Sequence, residues 1–123
     1  MFMLTPQKLE QLCMEQSGAT KDYPFGPEPL VIKVVGKMFA LISENKQDGL
    51  AHISLKCDPH TAEFLRMQYK SVIPGYHLNK KHWNTVIVDG TIPETEIQEM
   101  IEHSYKLVVR SLTKAQRAEL ETD

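Results

Sequence analysis

Residues 30–55, LVIKVVGKMFALISENKQDGLAHISL, decide the fold. Leu30 to Val35 is rich in β-branched residues, Gly36-Lys37 is a short turn signal, and Met38 to Ser43 is a second apolar run. Together they predict a β-hairpin. Asn45 to Gly49 is polar and reads as the next turn. Leu50 to Leu55 gives a third strand, with Leu50, His52 and Ser54 on one side and Ala51, Ile53 and Leu55 on the other. That alternation predicts one buried face and one wetter face.

Upstream, Thr5 can cap a helix that Pro6 begins, and Leu9, Leu12, Cys13 and Gln16 fall on one face before Gly18 ends it. The stretch from Ala19 to Pro29 holds Pro24, Phe25-Gly26-Pro27 and Pro29, so it reads as a loop, pinned to the core by Tyr23 and Phe25. Downstream, Asp58-Pro59 opens a second helix running to about Tyr69, with Ala62, Phe64, Leu65 and Tyr69 facing inward. Val72 to Tyr76 reads as a loop built on Pro74-Gly75, and Trp83 to Val88 as a strand, with Leu78 a candidate start for a short partner strand. From Pro93 the pattern is helical again. Ile97, Met100, Ile101, Tyr105 (or Ser104), Val108 and Leu112 share a face, Glu94, Glu96, Glu99 and Glu102 crowd the front, and Lys106, Arg110, Lys114 and Arg117 the rear. Thr113 caps a last short helix ending near Leu120. Short turns between consecutive strands imply antiparallel pairing. The expected fold class is α+β: a two-layer sandwich with the helices on one face of an antiparallel sheet.

At 123 residues the chain is expected to be one domain, 1–123, with a core large enough to need neither disulfide nor structural metal. Cys13 and Cys57 are too few for a disulfide framework and are read as reduced thiols. No apolar run reaches bilayer length, and MFMLTPQKLE lacks the pattern of a secretory signal, so the expected location is the cytoplasm. The formal net charge of −2 argues against a strongly basic nucleic-acid binder.

One segment departs from that balance. Phe64 to Val88 has no Asp or Glu, yet carries Arg66, Lys70, Lys80, Lys81, His77 and His82 among Tyr69, Tyr76 and Trp83. Interleaved cations and aromatics suit ion pairing with polyanions and stacking on planar ligands. Lys80 and Lys81 at a hairpin tip would contact phosphates, with Tyr76, His77 and Trp83 lining the surface; the bland alternative makes Tyr76 and Trp83 core anchors. His77 and His82 lack further zinc ligands, Cys57 and His60 being poor candidates, and no metal or cofactor is expected. No nucleophile elbow, phosphate loop or dinucleotide fingerprint occurs, and Cys57 with His52 or His60 is a weak nucleophile–base pair, so no enzyme is expected.

Pro74-Gly75-Tyr76-His77-Leu78-Asn79-Lys80-Lys81-His82-Trp83-Asn84-Thr85 resembles the signature block of the MmcQ/YjbR family of small bacterial proteins. Pro24-Phe25-Gly26, Val34 to Ala40 and Ser104 to Val109 also fit its pattern. The resemblance implies a CyaY-like, frataxin-like sandwich and a DNA-binding label tied to a double-wing arrangement of hairpins. It carries Tyr76, His77, Asn79, Lys80, Lys81, His82 and Trp83 over as the binding block, and no catalytic residue. The first helix has only Glu10 and Glu15, so frataxin's iron role does not come with the fold. The expectation is a monomeric, non-enzymatic binder of DNA, weak and salt-sensitive, with a planar or anionic small molecule as the alternative ligand and a protein-interaction module as the third.

Overall fold

The computed structural model describes residues 4–75 and 78–121. Among these, the strands are β1 (Ala19–Asp22), β2 (Leu30–Val34), β3 (Lys37–Glu44), β4 (Ala51–Lys56), β5 (Val72–Pro74) and β6 (Trp83–Val88). The helices are α1 (Pro6–Met14), α2 (Pro59–Gln68), α3 (Glu94–Ser111) and α4 (Lys114–Glu121). The strands form one antiparallel sheet in the order β1-β2-β3-β4-β6-β5. The fold class is therefore α+β, as the strand and helix patterns predict.

The helix ends follow local chemistry. The Thr5 hydroxyl accepts from Lys8 N–H at 3.1 Å and Pro6 takes the first turn. The Asp58 carboxylate accepts from the His60 and Thr61 amides ahead of Pro59. Thr113 and Gln116 cap α4 reciprocally, each side chain accepting from the other's amide.

Strand alternation divides the sheet's side chains. Leu30, Ile32, Ala40, Ile42, Ile53, Leu55, Val86 and Val88 join Leu9, Leu12 and Cys13 of α1 and Ile97, Ile101 and Val108 of α3 in one core. Phe39 sits at the irregularity where the β2–β3 register shifts, and its ring meets Tyr105 edge-on at 5.4 Å. The fully buried Ser104 hydroxyl donates to Phe39 C=O at 2.5 Å and accepts from Lys56 N–H at 2.9 Å, so α3 satisfies backbone groups there.

Several expectations need correction. Residues 19–22 are not loop but the edge strand β1, pairing Ala19↔Val34 through Asp22↔Val31. Ala, Lys and Asp have little strand propensity, and the free edge of β2 supplies the pairing. Tyr23 and Phe25 do not pin the following loop to the core; they are 52% and 64% exposed. Val72–Pro74 is a strand beside β6, and Leu78 lies in a bend with its amide on Gly75 C=O. Phe64 faces out, 63% exposed. On α2 the inward residues are Ala62, Leu65, Arg66 and Tyr69, because the Arg66 guanidinium is fixed to Asn84 and to backbone carbonyls under the helix. Those polar ties set the helix's rotation, and Phe64 and Met67 are left outside.

Candidate functional site

The sequence block begins where Gly75 lies against β6. A Cβ on Gly75 would stand 2.7 Å from the Trp83 Cβ, so only glycine lets the loop pass this close. Gly75 N–H donates to Trp83 C=O at 2.9 Å. Asn79, Lys80, Lys81 and His82 then form a turn: the Asn79 carboxamide accepts from Lys81 N–H at 2.9 Å, and Asn79 C=O accepts from His82 N–H at 3.2 Å.

The structure thus brings four of the expected site residues together at the tip of the β5–β6 connection. Lys81 is exposed, and the Lys80 ammonium reaches Gly75 C=O at 3.5 Å. Tyr76 and His77 lie outside the described residues. Trp83 is 9% exposed and belongs neither to the solvent-facing tip nor to the helix-side core. By strand alternation it shares the sheet's other face with Thr85. Arg66, a cation of the acid-free segment, is structural: its Nε donates to Asn84 Oδ1 at 2.6 Å, and its terminal nitrogen donates to Trp83 C=O at 3.2 Å and to Lys80 C=O.

The face away from α1 and α3 carries a second, larger feature. Register aligns Val31, Leu41, Ser54, Thr85 and Ile73 across five strands. The Ser54 and Thr85 hydroxyls, both buried, are hydrogen-bonded at 2.8 Å in the middle of that row. Leu41, Ser54, Thr85 and Ile73 of this row floor a groove of about 790 Å³, walled by Phe25 and Pro29 on one side and Leu78 on the other. At one end stand Ser43, Glu44, Lys46 and His52. His52 Nε2 lies 2.9 Å from the Asp48 carboxylate. Asp48 is held below the usual carboxylate range, chiefly by the Leu50 amide and then by His52.

Charge is sorted along the strands. Antiparallel pairing puts the start of β3, the end of β4 and the start of β6 at one end of the sheet, and Lys37 Nζ donates to Ser111 C=O at 3.2 Å, so the α3 C-terminus is there too. That end holds Lys37, Lys56, Lys80, Lys81, Arg110 and Lys114, with Asp58, Glu119 and Glu121 as counter-charges. The opposite end holds Glu28, Glu44, Asp48, Asp89, Glu94 and Glu96, with Lys46 and Lys70 among them.

The weaker chemical candidates separate. Cys13 and Cys57 are free and buried, and burial pushes their thiols up to about 12 and about 11. Cys57 is thus a neutral thiol at pH 7, a poor nucleophile. His52 is engaged with Asp48 on the open face, and His103 Nε2 accepts from Asp58 N–H at 3.5 Å. Among the described residues no group of three or more His, Cys, Asp or Glu side chains could hold a metal ion. Among them, too, no helix is long and apolar enough to cross a membrane.

The groove is what sequence reasoning missed. The polar side of β4 was legible from Leu50, His52 and Ser54, but its alignment with Ser43 and Thr85 requires the register of three strands.

An antiparallel sheet with helices over one face, a groove across the other and a basic tip beside it defines a small α+β domain. Comparison with known proteins specifies it further. Residues 14–107 match the YjbR family model, and the chain belongs to the YjbR family. It is 36% identical over 114 residues to the uncharacterised protein YjbR of Escherichia coli K12, covering 93% of this chain and 95% of that one. It is 40% identical over 105 residues to the uncharacterised protein YbdF of Escherichia coli O157:H7, covering 85% and 84%. A crystal structure of a Deinococcus radiodurans protein, described by the domain DUF419, superposes with a TM-score of 0.84 at 42% identity over 95% of this chain and 91% of that one.

Proposed function

We propose that this protein is a non-enzymatic binding module whose ligand lies in the groove on the open sheet face. The observation that carries the reading is the groove itself. Its volume of about 790 Å³ is in the range of small-molecule sites, and its floor sets a buried Ser54–Thr85 hydroxyl pair between Leu41 and Ile73. An apolar floor with a central polar pair suits a flat molecule bearing a hydroxyl or amide. The binding wall of this reading is Leu41, Ser54, Thr85 and Ile73, with Trp83 on the same face as a reporter, rather than Tyr76 and His77.

A second reading has its own observation, the sorting of cations to one end. Lys80 and Lys81 at the tip, with Lys37, Lys56 and Arg110 at the same end, would meet duplex DNA by its phosphates, weakly and with steep salt dependence. The double-wing and CyaY-like descriptions belong with this reading, in which the β2–β3 and β5–β6 connections would serve as the wings. Both readings take the protein to act as a monomer in the cytoplasm.

One titration tests both. Trp83 fluorescence is followed as 2-naphthol, or a duplex oligonucleotide at low salt, is added to the parent, to Leu41→Glu and to Lys80→Ala with Lys81→Ala. The groove reading expects saturable quenching by naphthol that Leu41→Glu abolishes and the lysine variant keeps. Equal binding by Leu41→Glu overturns it. The DNA reading expects the reverse pattern, with the salt slope falling by about 2 in the double lysine variant. Unchanged DNA affinity in that variant ends it.

A further inference from the structure

We propose that the space between α2 and α3, on the other side of the sheet from the groove, is a separate binding site for a small uncharged ring molecule between benzene and indole in size. A cavity of about 210 Å³ lies there, walled by Leu55, Leu65, Val86 and Met100, with Cys57 and Thr61 beside them.

The cavity exists because of how α2 is held. Its buried side chain is Ala62, Leu65 packs only partly against the core, and its other ties to the sheet are polar. Arg66 grips Asn84 and the carbonyls of Lys80 and Trp83, and the Tyr69 hydroxyl donates to Glu96 of α3. These ties position the helix without filling the volume under it. The α2 side chains with enough bulk to do so, Phe64 and Met67, point to solvent, 63% and 87% exposed.

The chemistry of the wall selects the occupant. Asn84, the buried amide at the cavity, is already paired on both sides: its oxygen accepts from Arg66 Nε and its nitrogen donates to Ala62 C=O at 3.4 Å. Among the described residues no buried side-chain nitrogen or oxygen lacks a partner. A trapped water needs two to four polar partners, so this space suits water poorly. Burial keeps the Cys57 thiol protonated and neutral, and Glu99, Lys56 and His103 at the lining give no surplus of one charge that would select an ion. An enclosed apolar cavity of about 150 Å³ accepts benzene, and this cleft of about 210 Å³, open on one side, has room for a ring of that size or slightly larger. Pairing of Leu55 and Val86 with the helix side of the sheet keeps this site independent of the Leu41–Ile73 groove.

The test is methyl-resolved NMR of the intact protein titrated with indole and, separately, benzene. The expected result is saturable, concerted shifts of the Leu65, Val86 and Met100 methyls, with Leu41 and Ile73 unmoved. Leu65→Trp, which fills the cavity, should weaken indole binding at least tenfold and raise Tm. If Leu65→Trp fails to fold, Thr61→Leu fills the space from the exposed side of the same helix and carries the same expectation. Absence of saturable shifts up to the solubility of both probes overturns the proposal. So do shifts confined to Leu41 and Ile73, or a folded filling variant that binds indole as the parent does.

Discussion

Ile53 and Ser54 are neighbours on β4 and belong to opposite sides of the sheet. Ile53 is fully buried in the core that α1 and α3 complete; Ser54 faces away from those helices and is bonded to Thr85 on the groove floor. The two faces are built from the same strands and the same ladder, so the division of labour is purely a matter of side chains. The covered face is mostly hydrocarbon, broken by Asn84 and Ser104, and carries stability. The other face interrupts its apolar row with hydroxyls and leaves room above it.

The largest expected effect breaks that comparison most directly. Ile53→Ala should cost about 3–4 kcal/mol in urea denaturation, the loss of a buried side chain plus the cavity it leaves. Leu41→Ala on the groove floor, half-buried, should cost only about 1 kcal/mol. Equal costs would mean that both faces are core. Next in size, Arg66→Ala should cost about 2 kcal/mol by taking the guanidinium from the Asn84 carboxamide oxygen and Lys80 C=O and leaving Trp83 C=O with the Gly75 N–H alone. It should also speed hydrogen exchange across Lys80–Asn84. Arg66→Lys should not rescue it, because an ammonium cannot span the three acceptors that the guanidinium fork reaches. No change in exchange at the tip would show that the turn stands without α2.

How much of this was visible in the sequence follows from the same contrast. The β2–β3 hairpin, α1 and α3 were legible because their apolar spacing, caps and turn residues agree with their tertiary surroundings. β1 and β5 were not, since short polar or proline-bearing edges owe their pairing to a neighbouring strand. Phe64 misled because apolar character argued for burial, while the polar anchor at Arg66 decides the rotation of α2. The tip formed by Asn79, Lys80, Lys81 and His82 was legible as a turn, whereas the burial of Trp83 depends on Gly75 crossing its strand.

The smallest expected effect concerns the acidic end of the sheet. Asp48 and Asp89 are both held below the ordinary carboxylate range, Asp48 chiefly by Leu50 N–H and Asp89 chiefly by the Thr91 hydroxyl at 2.6 Å. A carboxyl depressed in the folded state contributes stability above its unfolded pKa and loses that contribution as pH falls through the folded value. Tm should therefore decline below about pH 4, and Asp48→Asn with Asp89→Asn should flatten the decline while lowering Tm slightly at pH 7. An acid profile identical in the double variant would assign the decline to other carboxylates.

With Lys37, Lys56, Lys80, Lys81, Arg110 and Lys114 at one pole and Glu28, Glu44, Asp48, Asp89, Glu94 and Glu96 near the other, the molecule carries its charge unevenly despite its small net charge. Near any strongly charged body it does not approach at random: the field turns it before contact, pole first. A negative surface meets the Lys80–Lys81 pole and holds the strands roughly perpendicular to itself. Docked this way, the molecule keeps the groove along its flank open to solution.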